Sequence, residues 1–192
     1  MHALLRAEGT TVSTLCGAMP AVIVCEFGDR DEFLIRSMFA NRRHPHLARI
    51  VGFLANAVIL RLRMAGSPTL LESLRRFHAT ALAAYAHAEF PTAMLIPIIG
   101  PSPDPAFAIR PQVAHFHRRL SRPQVTDLPG VSSATFVIAP ELVEERWQYD
   151  GTLVTEEHDG QIECALWYNK DVLDESGAAR FVGRFQEICQ SL

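Results

Sequence analysis

The side chains in this sequence with chemistry to offer are its eight histidines, a single asparagine inside an apolar run, and a few arginines near it. A histidine acts as a general base when it sits within hydrogen-bond reach of the proton it removes and titrates near the working pH. His115 and His117 are two apart on an expected strand, which puts both on one side of it. That spacing suits two metal ligands, yet nothing nearby in sequence offers a third, so solvent-side strand histidines are the simpler reading and no metal site is expected. His44 and His46 flank Pro45 in a polar turn and read as exposed residues. His87 lies near a helix end, where a cationic side chain is favoured. Ser132, Ser133 and the four cysteines have no base beside them, as a serine or cysteine nucleophile requires.

Asn56 is the strongest candidate for a direct role. It lies in the apolar stretch IVGFLANAVILR, residues 50–61, and its amide both donates and accepts. In such a stretch it must find partners or cost stability. It could orient a substrate, or it could cap a turn ahead of the following strand. Arg42 has the forked geometry to pair with a carboxylate, buried or exposed. Gln112 could bond backbone at a strand start. Trp147, Trp167 and Tyr168 read as core or interface residues.

These residues must be positioned by helices and strands in mixed order. Residues 2–7 read as a short helix. Residues 11–27 read as a buried one, capped by Thr10 or Thr11, disturbed at Pro20 and stopped at Gly28. Strands are expected at 33–40, 57–63, 112–117, 131–139, 153–157 and 161–168, with a helical turn at 47–51. Thr69 and Glu72 fit a capping box for a helix over 69–89, whose stripe of Leu70, Leu74, Phe77, Ala81 and Tyr85 faces a core. Pro91 is expected to end it and to open a second helix over 92–99. Residues 101–110 and 121–130 read as loops, and Asp159-Gly160 as a hairpin turn. A last helix begins near Asp174 and buries Phe181, Val182, Phe185, Ile188 and Leu192. The sum is an α/β (α+β) architecture, a mixed sheet with helices packed on one face.

Composition narrows the function. The apolar share is 48%, enough for a sizeable core, and the net charge of −3 with mixed signs gives no reason to expect nucleic acid as a partner. Cys16, Cys25, Cys164 and Cys189 form no CxxC pair and read as reduced thiols. The apolar run 12–25 is too short to cross a bilayer and lacks a signal-peptide pattern, so a cytoplasmic protein is expected. No Gly-rich loop follows a strand in the nucleotide-binding manner.

Several short segments, in order along nearly the whole chain, resemble the condensation domains of non-ribosomal peptide synthetases. Leu5-Arg6-Ala7-Glu8-Gly9-Thr10-Thr11 is similar to their "aregaT", Gly28-Asp29 to "sGqdD", and Ala40-Asn41-Arg42 to "VANR". Val51-Gly52-Phe53 with Asn56 and Arg61 resembles "GFFVNT…R". Residues 84–91, with His87 and Pro91, resemble "AyaHqdyPFe"; Pro111-Gln112-Val113 with Phe116 resembles "PLFQVmFv"; residues 168–174 resemble "YntDLFD". The glycine of "GTPVANR", the "PFE" after the helix and most of the "RDxSRNPL" loop are not matched. The catalytic HHxxxDG of the family occurs nowhere in these 192 residues.

The resemblance implies a chloramphenicol-acetyltransferase-like lobe: residues 1–192 as the C-terminal lobe of a condensation-type acyltransferase whose N-terminal lobe is absent. It implies half of an amide-forming enzyme, one wall of the tunnel between lobes, inactive alone because the histidine base belongs to the other lobe. Asn56, Arg42 and Gln112 become substrate-tunnel candidates, and Gly52, Phe53, Arg61, His87 and Pro91 structural motif positions. The chain itself would bind no cofactor. The phosphopantetheine arm of a peptidyl carrier protein would bring the substrate, and partners would be that carrier, the missing lobe or a neighbouring synthetase domain. The exposed inter-lobe face would also favour a homodimer. Two other readings stay open: a non-catalytic carrier-docking module, and a lobe of a coenzyme A-dependent acyltransferase.

Overall fold

A computed structural model of the chain describes residues 1–27, 31–99, 113–119, 150–158 and 161–192. The expected stop at Gly28, the loops 101–110 and 121–130, the strand 131–139, the turn at Asp159-Gly160, Gln112, Ser132, Ser133 and Trp147 lie outside the described residues. The elements are α1 (His2–Ala7), α2 (Val12–Phe27), β1 (Glu32–Phe39), a 3-10 helix (Pro45–Arg49), β2 (Asn56–Arg63), α3 (Leu70–Tyr85), α4 (Thr92–Ile99), β3 (Val113–Arg119), β4 (Gly151–His158), β5 (Gln161–Tyr168) and α5 (Glu175–Gln190).

The strands form one mixed sheet in the order β2-β1-β3-β4-β5. β1 runs antiparallel to β2 and parallel to β3; β3 runs parallel to β4, and β4 antiparallel to β5. Alternation assigns the faces. Phe33, Ile35 and Ser37 of β1 are buried, in register with Leu62, Leu60 and Val58 of β2, also buried. Along β5, Ile162, Cys164, Leu166 and Tyr168 are half-buried, whereas Gln161, Glu163, Ala165 and Trp167 are exposed. By register, His115 lies between Ser37 and Leu153, and His117 beside Thr155. That row is the helix-covered face, not the solvent side that spacing alone suggests.

α2 is the central helix of the core and touches α3 and α5. Leu15, Cys16, Ala18, Met19, Ala21 and Ile23 are fully buried in it. Pro20 is buried within the same continuous helix. Thr11 Oγ1 accepts from the Thr14 amide at its start, as a capping threonine does. The stripe expected on α3 points inward at Leu74, Phe77 and Ala81. Its capping box closes in both directions, Thr69 Oγ1 accepting from the Glu72 amide and the Glu72 carboxylate from the Thr69 amide.

α3 ends at Tyr85, earlier than its sequence period suggests, and residues 86–90 turn instead. Pro91 therefore does not stop this helix. It stands just ahead of α4, where its carbonyl accepts from the Met94 amide. α5 is capped by Asp174, whose carboxylate accepts from the Gly177 amide.

Exposed carboxylates tie the elements together, and their titration fixes a pH dependence. Glu8 is held below the ordinary range by the guanidinium of Arg75, Glu32 by Arg61 and then Arg63, Glu72 by the Thr69 amide and hydroxyl, and Asp174 by the Gly177 amide and the Ser176 hydroxyl. A carboxylate whose folded pKa lies below its unfolded value stabilises the fold fully above the unfolded value, near pH 4, and loses that contribution as pH falls through the folded value. Thermal midpoints are thus expected to hold steady from neutrality to about pH 5 and to drop below about pH 4. Asp174→Asn, which keeps an accepting oxygen, should flatten part of that drop. A midpoint that rises on acidification would contradict these ion pairs and caps.

Candidate functional site

Three of the segments singled out in the sequence meet at one corner of the sheet, where β1 ends and β2 begins. Asn41 turns the chain out of β1 with φ of 53°, a left-handed conformation that asparagine tolerates better than most residues. This turn aims Arg42 back across the loop that follows. Its Nη1 donates to the carbonyls of Leu47 (2.6 Å) and Ile50 (2.8 Å), and its Nη2 to that of Gly52 (3.1 Å). Gly52 itself has φ of 156°, which side-chain-bearing residues rarely adopt. The guanidinium fork is spent on backbone carbonyls of its own loop, where the sequence alone suggests a carboxylate partner.

Arg42→Lys should therefore act locally. A lysine ammonium is a point charge without the planar fork and cannot hold three carbonyls in this arrangement. Hydrogen exchange across residues 44–53 is expected to accelerate, with little change in the global unfolding midpoint. Unchanged exchange in that segment would show that the clamp is not what orders it.

Asn56 opens β2 and reaches to the turn after α3. Its Nδ2 donates to the carbonyls of Ala88 (2.7 Å) and Phe90 (2.8 Å). Both amide hydrogens are thus engaged, and Oδ1 has no partner among the described residues. Thr92 Oγ1 donates to the Ala57 carbonyl, which fixes the start of α4 against β2. The 86–91 segment carries His87, which is exposed and whose amide donates to the Ala84 carbonyl.

The same corner contains a cluster that the sequence does not single out. The Tyr85 ring stacks on Phe39 with centroids 5.2 Å apart, and its hydroxyl lies 3.0 Å from Ser37 Oγ. Arg43 lies over the Phe39 ring, 5.0 Å from its centroid, and donates to the Tyr85 carbonyl. Arg43 could have been suspected from its place beside Arg42; the Ser37–Tyr85 contact spans 48 residues and leaves no local signal.

Arg61 is not part of this corner. It stands five residues along β2 from Asn56, about 17 Å away at the rise of a strand. There it pairs with Glu32, which also holds Arg63.

Around the corner the surface is apolar. Val51 is 101% exposed and Phe53 86%, and Ile50 and Phe90 are also exposed. α4, which packs beside β2, exposes Met94 and Ile98.

The chemistry available from these residues is binding and positioning. No group of three or more histidine, cysteine or acidic side chains is arranged to hold a metal ion among the described residues. Burial pushes the Cys16 thiol up to about 12, and raises Cys25, Cys164 and Cys189 as well, so none of the four is a ready thiolate. No helix among the described residues is long and apolar enough to cross a membrane.

A mixed sheet carrying its helices on one face, with an exposed apolar corner at one end, is the architecture of the acyltransferase-like lobes seen in solved structures. The condensation domain from monacolin K polyketide synthase MokA superposes with a TM-score of 0.75 at 21% identity, over 97% of this chain and 42% of that one. The PapA2 acyl transferase does so with a TM-score of 0.65 at 15% identity, over 97% and 40%. The condensation-domain family model matches residues 1–192, and the chain belongs to that family, whose chemistry is amide bond formation. A linear gramicidin synthase of Brevibacillus parabrevis is 28% identical over 196 residues, which is all of this chain and 2% of the synthase. The non-canonical synthetase CymA of Salinispora arenicola is 32% identical over 131 residues, 68% of this chain and 2% of that protein. The chain thus spans a small fraction of the curated relatives it matches, and about two-fifths of the MokA and PapA2 chains.

Proposed function

We propose that residues 1–192 act as the C-terminal lobe of a condensation domain and form one wall of a tunnel between two lobes. In that tunnel an acyl thioester and an aminoacyl thioester, each on the phosphopantetheine arm of a peptidyl carrier protein, would be joined into an amide. The observation that carries this reading is the corner itself. The family-like segments 40–42, 51–56 and 84–91 are far apart in sequence, yet Arg42 and Asn56 draw them into one place. Beside them Val51 and Phe53 stand in solvent, an arrangement that favours a covering partner.

On this reading the wall positions and the other lobe reacts. HHxxxDG is not in this sequence, so the base that assists amine attack would come from the partner lobe, and the chain alone would be inactive. Asn56 would meet a substrate only through Oδ1, as an acceptor, because both its donors are occupied. Arg42 would shape the tunnel by holding the loop of residues 47–52, and Gln112 stays a tunnel candidate from the sequence alone.

The rival reading is a carrier-docking module with no catalytic partner. Sedimentation separates the two. With a separately produced N-terminal condensation lobe, the proposal expects a one-to-one complex. Alone at high concentration, it expects self-association through the exposed face. A chain that stays monomeric and ignores the other lobe, yet binds a loaded carrier, would support the docking module instead.

A further inference from the structure

A second site lies away from this corner, in a cavity between α2, α3 and the segment that follows β2. It encloses about 230 Å³, against the roughly 10–15 Å³ that a single water requires. Its walls include Val22 and Cys25 of α2, Asp31 ahead of β1, Met64, Ser67 and Pro68 after β2, and Ser73 of α3. Ser73 decides its character. The residue is 0% exposed, and its Oγ has no hydrogen-bond partner among the described residues. A buried hydroxyl left unpaired costs stability, so such a group in a cavity wall implies something that pairs with it.

The charges at the rim narrow the occupant. Glu26 also borders the cavity, but its two oxygens are bound by Arg184 at 2.7 and 2.8 Å, which neutralises it. Asp31 has no such cation among the described residues, so the cavity carries one uncompensated negative charge. Opposite it lie the hydroxyls of Ser67 and Ser73, and Val22, Met64 and Pro68 supply apolar wall. One carboxylate and two hydroxyls answer the three hydrogens of an ammonium group, and the apolar wall answers a short hydrocarbon chain.

We propose that this cavity binds a small primary alkylammonium ion, its nitrogen between Asp31 and the hydroxyls of Ser67 and Ser73 and its alkyl chain against Val22, Met64 and Pro68. The site is separate from the tunnel wall and does not depend on that reading.

The probe is n-butylammonium, titrated into the full chain and followed by calorimetry and by protein-detected NMR. n-Butanol and n-butyrate serve as parallel arms. Saturable binding of the ammonium is expected, with chemical-shift changes centred on residues 22, 64 and 73 and no saturable binding of butyrate. Asp31→Asn should weaken it by about tenfold, and Ser73→Ala by about threefold. If n-butanol binds as tightly as n-butylammonium, or if Asp31→Asn leaves the affinity unchanged, the cation site is overturned. It is equally overturned if no probe saturates and Ser73→Ala raises the thermal midpoint, which would make the cavity a water-filled packing defect. Ser67→Ala provides a rim variant outside the helices should Ser73→Ala fold poorly, and an affinity it does not lower would also count against the site.

Discussion

Asn56→Ala is expected to lower the unfolding free energy by about 2–4 kcal/mol. Two hydrogen bonds would be lost, each contributing about 0.5–1.5 kcal/mol net, and the carbonyls of Ala88 and Phe90 would be left in a half-buried corner without their donors. Asn56→Asp should be worse near neutral pH, because a carboxylate cannot donate and would point oxygen at two carbonyl oxygens. Urea unfolding of the three proteins tests the order wild type, Asn56→Ala, Asn56→Asp. A midpoint unmoved by Asn56→Ala would mean that the amide does not hold the turn. The same series bears on chemistry. Under conditions where Asn56→Ala remains folded, loss of amide product in the paired assay would point to Oδ1 acting on substrate, and retained product to a role in positioning the turn alone.

Phe77→Ala should cost still more, about 3–5 kcal/mol. The ring is 2% exposed, and it lies on the face of α3 that packs against the core with Leu74 and Ala81. Truncation removes the transfer free energy of the ring and leaves a cavity between elements that cannot collapse without moving the helix. Because α3 ends in the turn held by Asn56, the change should also loosen the corner. Denaturant titration checks the magnitude. Hydrogen exchange at residues 86–90 checks the coupling, which fails if that segment is unaffected.

The helices are the legible part of the sequence. The capping box at Thr69 and Glu72, the stripe through Leu74 and Phe77, and the cap at Asp174 are local signals, and local signals survive folding. The C-terminus of α3 is not legible from its period, which continues to Glu89, because its end is a tertiary matter: the carbonyls of Ala88 and Phe90 bond to Asn56, 32 and 34 residues away. The short helix expected at 47–51 lies two residues earlier as Pro45–Arg49, with proline at its first turn, where a missing amide hydrogen costs nothing.

Strand faces need the sheet. Position 115 reads as solvent-facing until β3 is placed between two parallel neighbours, an arrangement that no two-residue alternation can announce. At the candidate site, sequence resemblance finds Arg42, Gly52 and Asn56 but not what they touch. A guanidinium suits carboxylates and carbonyls alike, and only the left-handed turn at Asn41 decides that it meets the loop's own carbonyls.

The most direct test of the whole account is reconstitution of the reaction. The purified chain is incubated with two carrier proteins, one loaded with an acyl group and one with an aminoacyl group, with and without a separately produced N-terminal condensation lobe. The account predicts amide product only when both lobes are present. Product from this chain alone, or none from a confirmed complex of both lobes, would contradict it.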